Sequence, residues 1–119
     1  MKKVILLVED NPEHAEIVQI ALTKLTDVEI KWAKDAKEAL DLLKEGLKPQ
    51  LILLDYRLPG MSGRELLERL REMRMEAKII VLTAEYISKA ELMKDGCNNA
   101  LLKPFLPEEL INKIKKYLQ

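Results

Sequence analysis

Strand-like and helix-like segments alternate along this sequence from end to end, and that alternation limits the fold more than any other feature. Short apolar runs are separated by stretches whose apolar residues recur at helical spacing. A (βα)5 chain of this kind predicts a parallel sheet, since each helix returns the chain to the edge where the next strand begins. The predicted strands are Lys3–Val8, Val28–Ala33, Gln50–Leu54, Lys78–Thr83 and Ala100–Lys103.

The character of each strand predicts its place in the sheet. "VILLV", "LILL" and "IIVL" are apolar without interruption, as strands covered on both faces must be. "VEIKWA" alternates between apolar and charged residues, which is typical of an edge strand, and the last strand is short. Right-handed crossovers then favour the order 2-1-3-4-5, an α/β, doubly wound, flavodoxin-like sandwich of three layers. In such a sheet, ligands bind beyond the carboxyl ends of strands 1 and 3.

Several residues indicate where helices begin and end. Proline suits the first turn of a helix, a serine followed three residues later by glutamate forms a capping box, and glycine suits a left-handed stop. These signals are Pro12, Pro107, Ser62 with Glu65, Ser88 with Glu91, Gly46 and Gly96.

Length and composition predict one domain over residues 1–119. The 20 basic and 20 acidic residues balance, so charge does not point to nucleic acid or to a membrane surface. The apolar run near the N-terminus is too short for a signal peptide or a membrane span. Cys97 is the single cysteine, which favours a reducing, cytoplasmic setting and a packed thiol. His14 is expected on the surface of the first helix.

Polar residues stand at the carboxyl ends of the predicted central strands. Glu9 and Asp10 follow strand 1, Asp55 follows strand 3, Thr83 ends strand 4 and Lys103 ends strand 5. Neighbouring parallel strands lie about 5 Å apart, so these side chains can converge. Three carboxylates repel one another unless one is protonated or a cation joins them, and hard oxygen ligands suit Mg²⁺. Asp55 can then act as a nucleophile toward a phosphoryl group, with Lys103 as its expected partner.

Four motifs in register, "VEDN", "LLDYRLPGMSG", "VLTA" and "LLKPF", resemble the receiver domain of two-component response regulators over the whole chain. The resemblance implies that Asp55 is the phosphoacceptor and that Mg²⁺, or Mn²⁺ in its place, is bound there. It also implies roles for the surrounding residues: metal binding by Glu9, Asp10, Asp55 and the backbone carbonyl of Arg57; phosphoryl contacts by Thr83 and Lys103; access through Ala84; and a cis peptide at Lys103–Pro104.

Three features depart from the usual pattern of that family. Ala100 stands where an aromatic switch residue is usual, so the usual readout is in doubt. Asn98 and Asn99 replace acidic residues that many DNA-binding relatives use in dimer ion pairs. Arg57 and Glu85 occupy positions that tune how long the phosphoryl group survives, and a pair between them across the pocket mouth is a hypothesis.

The resemblance implies a stand-alone signalling switch rather than an enzyme that turns over a free substrate. A sensor histidine kinase or a phosphotransfer protein is the expected donor. The face formed by the fourth helix, fifth strand and fifth helix would regulate an unknown downstream protein. Direct binding to nucleic acid or membrane is not expected. The chain is expected to be a monomer or a phosphorylation-dependent dimer.

Three other functions remain open. A phosphatase of the haloacid dehalogenase kind has similar chemistry, but it needs an Asp or Thr where Arg57 stands. A flavodoxin-like cofactor protein needs a phosphate-binding loop after strand 1, and the acidic "EDNPEH" would repel phosphate. A receiver that has lost phosphorylation and only binds proteins is disfavoured by the intact Asp55, Thr83 and Lys103, although Ala100 leaves it open.

Overall fold

Strands and helices alternate along the chain as the apolar pattern predicts. The structure, a computed structural model, describes residues 2–84 and 88–118. Within them the strands are β1 (Lys3–Val8), β2 (Val28–Ala33), β3 (Leu51–Asp55), β4 (Lys78–Thr83) and β5 (Asn99–Leu102). The helices are α1 (Pro12–Leu22), α2 (Ala36–Lys44), α3 (Gly63–Glu72), α4 (Lys89–Lys94) and α5 (Pro107–Lys115).

The strands form one parallel sheet in the predicted order β2-β1-β3-β4-β5. Two strands, β3 and β5, are each shifted by one residue at both ends from the prediction: β3 begins at Leu51 and not Gln50, and β5 ends at Leu102 and not Lys103. The predicted strand over Gln50–Leu54 ends at Asp55, because Asp55 lies in register with Leu82 of β4. The last strand begins at Asn99, which lies in register with Ile80. In both places a polar residue that looks like a strand boundary in the sequence still belongs to the ladder.

Alternate residues of the sheet face two separate apolar layers. On one face the side chains pack against α1 and α5, and on the other against α2, α3 and α4. All five residues of β3 are buried, as expected of a strand covered on both faces. The edge strand β2 instead alternates between half-buried and exposed positions along most of its length. Because helices cover both faces of the sheet, a functional site is expected at the ends of the strands.

The helix termini follow the residues that signal them. Asn11 is the N-cap of α1, and its side-chain Oδ1 accepts hydrogen bonds from the backbone N–H of Glu13 and His14. Ser62 and Ser88 cap α3 and α4 by accepting from the N–H three residues later, each at 3.1 Å. After α2 and α4 the chain turns at Gly46 and Gly96, with φ of 111° and 112°, where a side chain would be strained. Among the described residues, no helix has both the length and the apolar character that a membrane span requires.

Candidate functional site

The carboxyl ends of four neighbouring strands bring the predicted polar residues to one edge of the sheet. Glu9 and Asp10 follow β1, while Asp55 and Thr83 are the last residues of β3 and β4. Lys103 follows β5, and its backbone N–H donates to the carbonyl of Thr83 at 2.8 Å. Because β1 and β3 are neighbours although they are not consecutive in sequence, the site lies where the strand order changes direction.

Three carboxylates form a compact acidic cluster. One oxygen from each of Glu9, Asp10 and Asp55 lies within 4.8 Å of the others. Glu9 and Asp55 are buried, and Asp10 is exposed at the outer side. Oxygen atoms this close fit a hard divalent cation that keeps some of its water. The structure therefore brings together the three acidic side chains that the sequence predicted as ligands.

Lys103 supplies the positive charge of the site. Its Nζ lies 3.1 Å from Oε2 of Glu9 and 3.6 Å from Oδ2 of Asp55. The sequence predicted Asp55 as its partner, and the structure refines that prediction: the shorter contact is to Glu9. Glu9 is the most deeply buried carboxylate of the site, so its charge costs the most to bury without a nearby cation.

Glu9 is held in an environment that opposes its ionisation. Burial raises its pKa above the ordinary value of 4.5, the neighbouring Asp55 carboxylate raises it further, and the Lys103 ammonium works against both. The backbone N–H of Asn11 donates to Oε1 of Glu9 at 3.2 Å. A divalent cation among the three carboxylates would favour the ionised form, so the site is better suited to a bound metal than to three unshielded charges.

Arg57 contributes to the site through its backbone. Its N–H donates to Oδ1 of Asp55 at 3.2 Å, which orients that carboxylate and leaves Oδ2 facing Lys103. The residue itself is exposed. The predicted pair between Arg57 and Glu85 cannot be located, since Glu85 lies outside the described residues.

A groove opens beside the acidic cluster. It has a volume of about 370 Å³ and runs from Glu9 and Lys103 past Ala84 to Ile17 of α1 and Phe105. The Lys103–Pro104 peptide, which lines the groove, is cis, as the resemblance implied. Ala84 is exposed, so a small side chain stands at the opening beside the cluster, as predicted.

Two residues outside the predicted site lie near the acidic cluster. His14 is exposed on α1, as predicted, yet its Nδ1 lies 3.8 Å from Oε1 of Glu9. Trp32 of β2 donates from its indole Nε1 to the backbone carbonyl of Glu9 at 2.7 Å. Strand alternation places Trp32 on one face of the sheet, but periodicity gives no signal for a side chain that bends toward a neighbouring loop.

The unusual residues around β5 have structural partners. Asn98 accepts a hydrogen bond at Oδ1 from the backbone N–H of Ile79 at 2.8 Å. Asn99 donates from Nδ2 to the hydroxyl of Tyr117 at 3.1 Å, and Lys113 Nζ donates to the carbonyl of Ala100 at 3.0 Å. Ala100 itself is half-buried opposite Val81 of β4. The asparagines therefore fasten β5 to β4 and to α5.

Comparison with known proteins identifies the family. The model of the response regulator receiver domain matches residues 5–115. The chain belongs to the response regulator receiver domain family. Such domains are phosphorylation-dependent switches of two-component systems, and phosphorylation on an aspartate is typical of them.

Similar proteins come from several kinds of regulators. The phosphate regulon transcriptional regulatory protein PhoB of Pseudomonas aeruginosa is 36% identical over 98% of this chain and 52% of its own length. A chemotaxis protein CheY homolog of Campylobacter jejuni is 31% identical over 96% of this chain and 91% of its own length. The chain thus spans about half the length of PhoB and nearly all of the CheY homolog.

Solved structures give the same fold. A CheY-like response regulator receiver domain protein from Methanospirillum hungatei superposes with a TM-score of 0.88 at 30% identity, covering 99% of this chain and 94% of that one. The chemotaxis protein CheY4 of Vibrio cholerae superposes with a TM-score of 0.87 at 25% identity, covering 98% of this chain and 99% of that one. The flavodoxin-like fold predicted from the sequence is confirmed.

Proposed function

We propose that this domain accepts a phosphoryl group on Asp55 from a histidine kinase or a phosphotransfer protein. The observation that carries the proposal is the position of Asp55. It is buried at the end of β3, lies within 4.8 Å of two other carboxylates, and has Lys103 Nζ 3.6 Å from its Oδ2. Asp55 meets both requirements of phosphoryl transfer, a positioned nucleophile and nearby positive charge.

Each residue around Asp55 has a separate role in the proposed transfer. An oxygen of Asp55 forms a bond to phosphorus as the bond from phosphorus to the donor's imidazole nitrogen breaks, and that nitrogen keeps the electron pair and takes a proton. The N–H of Arg57 fixes the orientation of the attacking carboxylate. Lys103 neutralises charge on the transferred group, and the hydroxyl of Thr83 can donate to one of its oxygens.

Mg²⁺ is the cofactor that fits the acidic cluster, with Mn²⁺ as a substitute. Glu9, Asp10 and Asp55 would hold it through carboxylate oxygens, and the backbone carbonyl of Arg57 is proposed as a further ligand. When bound, the cation supplies positive charge that lowers the repulsion between the site and an incoming phosphoryl group. Its identity rests on the hardness of the oxygen donors and their closeness.

The groove beside Lys103 is the proposed entry for the donor protein. Ile17 on α1 is 57% exposed although it is apolar, and Leu106 after the cis peptide is 64% exposed. An apolar helix face of a partner would cover these side chains and bring its phosphohistidine to the mouth of the site.

The output surface is proposed to be the face of α4, β5 and α5. Met93 of α4 and Leu102 of β5 are each about half exposed and offer apolar contacts to a downstream protein. Ala100 has no aromatic ring to turn, so phosphorylation would reach this face through movement of the chain that follows Thr83 rather than through a side-chain rotation. The domain is proposed to act as a switch and not to turn over a free substrate; a cytoplasmic setting stays a prediction from the sequence.

Incubation with Mg²⁺ and acetyl phosphate, followed by intact mass measurement, tests the proposal. We expect the wild-type chain to gain one phosphoryl group and Asp55→Asn to gain none. Asp41→Asn, which changes an exposed aspartate on α2, is the matched control and should be labelled like wild type. Equal labelling of Asp55→Asn and wild type would refute the assignment. Absence of both labelling and Mg²⁺ binding in wild type would favour a receiver that only binds proteins.

A further inference from the structure

Trp32 connects the edge strand β2 to the acidic loop after β1. Its indole Nε1 donates to the backbone carbonyl of Glu9 at 2.7 Å, which is short for an N–H···O hydrogen bond. Among the described residues, the acidic cluster takes its carboxylates from the ends of β1 and β3 and none from β2. The contact from Trp32 therefore needs an explanation other than metal ligation.

The hydrogen bond completes a set of contacts that holds Glu9 at every polar group. Its backbone N–H donates to the carbonyl of Ala33 at 3.0 Å. Its side-chain oxygens accept from Asn11 N–H at 3.2 Å and from Lys103 Nζ at 3.1 Å. Two consecutive residues of β2, Trp32 and Ala33, thus hold the backbone of Glu9 on both sides.

The carbonyl of Glu9 belongs to the peptide that joins it to Asp10. A peptide group is planar, so a hydrogen bond that fixes this carbonyl also fixes the N–H of Asp10 and the direction in which its backbone continues. Asp10 is the exposed member of the acidic cluster, and the other two carboxylates repel it. A restraint on its backbone limits how far the exposed Asp10 carboxylate can turn away from the other two.

The length and chemistry of tryptophan match this task. Trp32 lies in register with Leu7, and Glu9 follows the end of β1 two residues further along the chain, a distance of about 7 Å. Indole covers that distance and ends in an N–H donor, whereas phenylalanine has the ring without the donor. Trp32 is 37% exposed, so its ring buries apolar area as well, but that burial does not require an N–H donor.

We propose that Trp32 is a positioning residue for metal binding: its indole N–H fixes the Glu9–Asp10 peptide so that the Asp10 carboxylate meets those of Glu9 and Asp55. The inference rests on the proposed function, since it assumes that the acidic cluster binds a divalent cation. Hydrogen bonds that orient metal ligands commonly change metal affinity by about 10- to 100-fold when they are removed. Trp32 acts on a ligand's backbone, so the expected effect is near tenfold.

The test replaces Trp32 with benzothienylalanine, in which sulfur stands in place of the indole N–H and the ring keeps its shape. Mg²⁺ affinity is measured by titration calorimetry, and the metal-free Tm is measured separately. We expect about tenfold weaker Mg²⁺ binding with a metal-free Tm close to that of wild type. Trp32→Phe should show the same loss of affinity. Ile30→Val, on the same face of the same strand, is the control and should lower Tm without changing the affinity.

Each outcome decides the matter. Wild-type affinity in the benzothienylalanine variant would overturn the inference, as would an equal loss of affinity in Ile30→Val. If wild type itself binds no Mg²⁺, the assumption behind the inference is wrong and both it and the metal-dependent function fail. If wild type binds Mg²⁺ and gains a phosphoryl group while the variant binds Mg²⁺ equally well, the proposed function stands and the role of Trp32 does not.

Discussion

At the scale of single residues, Glu9 is unusual because it is buried, acidic and close to a second carboxylate. Its pKa is raised, first by burial and then by Asp55. A carboxyl group whose folded-state pKa exceeds the unfolded value binds more protons when the protein is folded. The contribution of Glu9 to the free energy of unfolding is therefore greatest below about pH 4.5. It declines as the pH rises from there through the raised folded-state pKa.

Glu9→Gln removes the charge that burial penalises. In the absence of metal we expect this variant to be more stable than wild type at neutral pH, with the difference shrinking toward pH 4.5. Urea unfolding in chelator at both pH values measures the effect, and Mg²⁺ affinity should fall in the same variant. Glu16→Gln, at an exposed position of α1, is the control. A less stable Glu9→Gln variant at neutral pH would mean that the Lys103 contact outweighs the burial penalty.

Residue types at strand ends predicted most of the site, because carboxyl ends of neighbouring parallel strands must meet. The partner of Lys103 could not be ranked in that way. Asp55 and Glu9 are both within its reach, and the choice depends on which carboxylate is the more deeply buried. The hydrogen bond from Trp32 to the carbonyl of Glu9 could not be predicted either, since sequence periodicity assigns a side chain to a face of the sheet and not to a particular acceptor atom.

At the scale of elements, the start of α3 controls the loop that carries Asp55. Gly63 donates from its backbone N–H to the carbonyl of Tyr56 at 3.0 Å. A Cβ on Gly63 would lie 2.6 Å from both Cα and the carbonyl oxygen of Tyr56, and backbone atoms cannot yield cheaply. Tyr56 directly follows Asp55, so helix packing and the geometry of the nucleophile depend on the same contact.

Gly63→Ala should therefore impair both stability and the site. We expect a loss of about 1–3 kcal/mol in the free energy of unfolding, as for other overpacked positions, together with slower labelling of Asp55 by acetyl phosphate. Gly60→Ala is the matched control for labelling, since a Cβ there meets nothing within 4 Å, although its φ of 76° causes strain of about 1–2 kcal/mol. Normal labelling in Gly63→Ala would show that the phosphorylation of Asp55 does not depend on the contact between Gly63 and Tyr56.

Most elements were predictable because local signals and tertiary packing agree. Pro12, Ser62 and Ser88 mark helix starts in the sequence and also form them in the structure. Boundaries failed at Asp55 and Asn99, where a polar side chain looks like the end of a strand but the backbone keeps its place in the ladder. Backbone pairing depends on the neighbouring strand, and the sequence of one strand carries no information about where its neighbour ends.

At the scale of the whole molecule, the order of the strands concentrates like charges at one edge of the sheet. Three carboxylates within 4.8 Å, with Lys103 as the cation in contact with two of them, make the metal-free fold less stable than its apolar core alone would allow. A cation that binds the folded chain and not the unfolded one stabilises the fold by mass action.

Mg²⁺ should therefore raise the stability of the entire domain and not only order the site. At a concentration about 100 times its Kd, we expect a gain of about 2.7 kcal/mol in the free energy of unfolding. For a chain of 119 residues this corresponds to a rise in Tm of several degrees. Asp10→Asn should lose most of that rise, because Asp10 is a ligand, and its metal-free Tm should equal or exceed that of wild type, because one of three repelling charges is gone. Asp41→Asn should keep the full rise. If Mg²⁺ does not change the Tm of wild type, these three carboxylates do not form a metal-binding site.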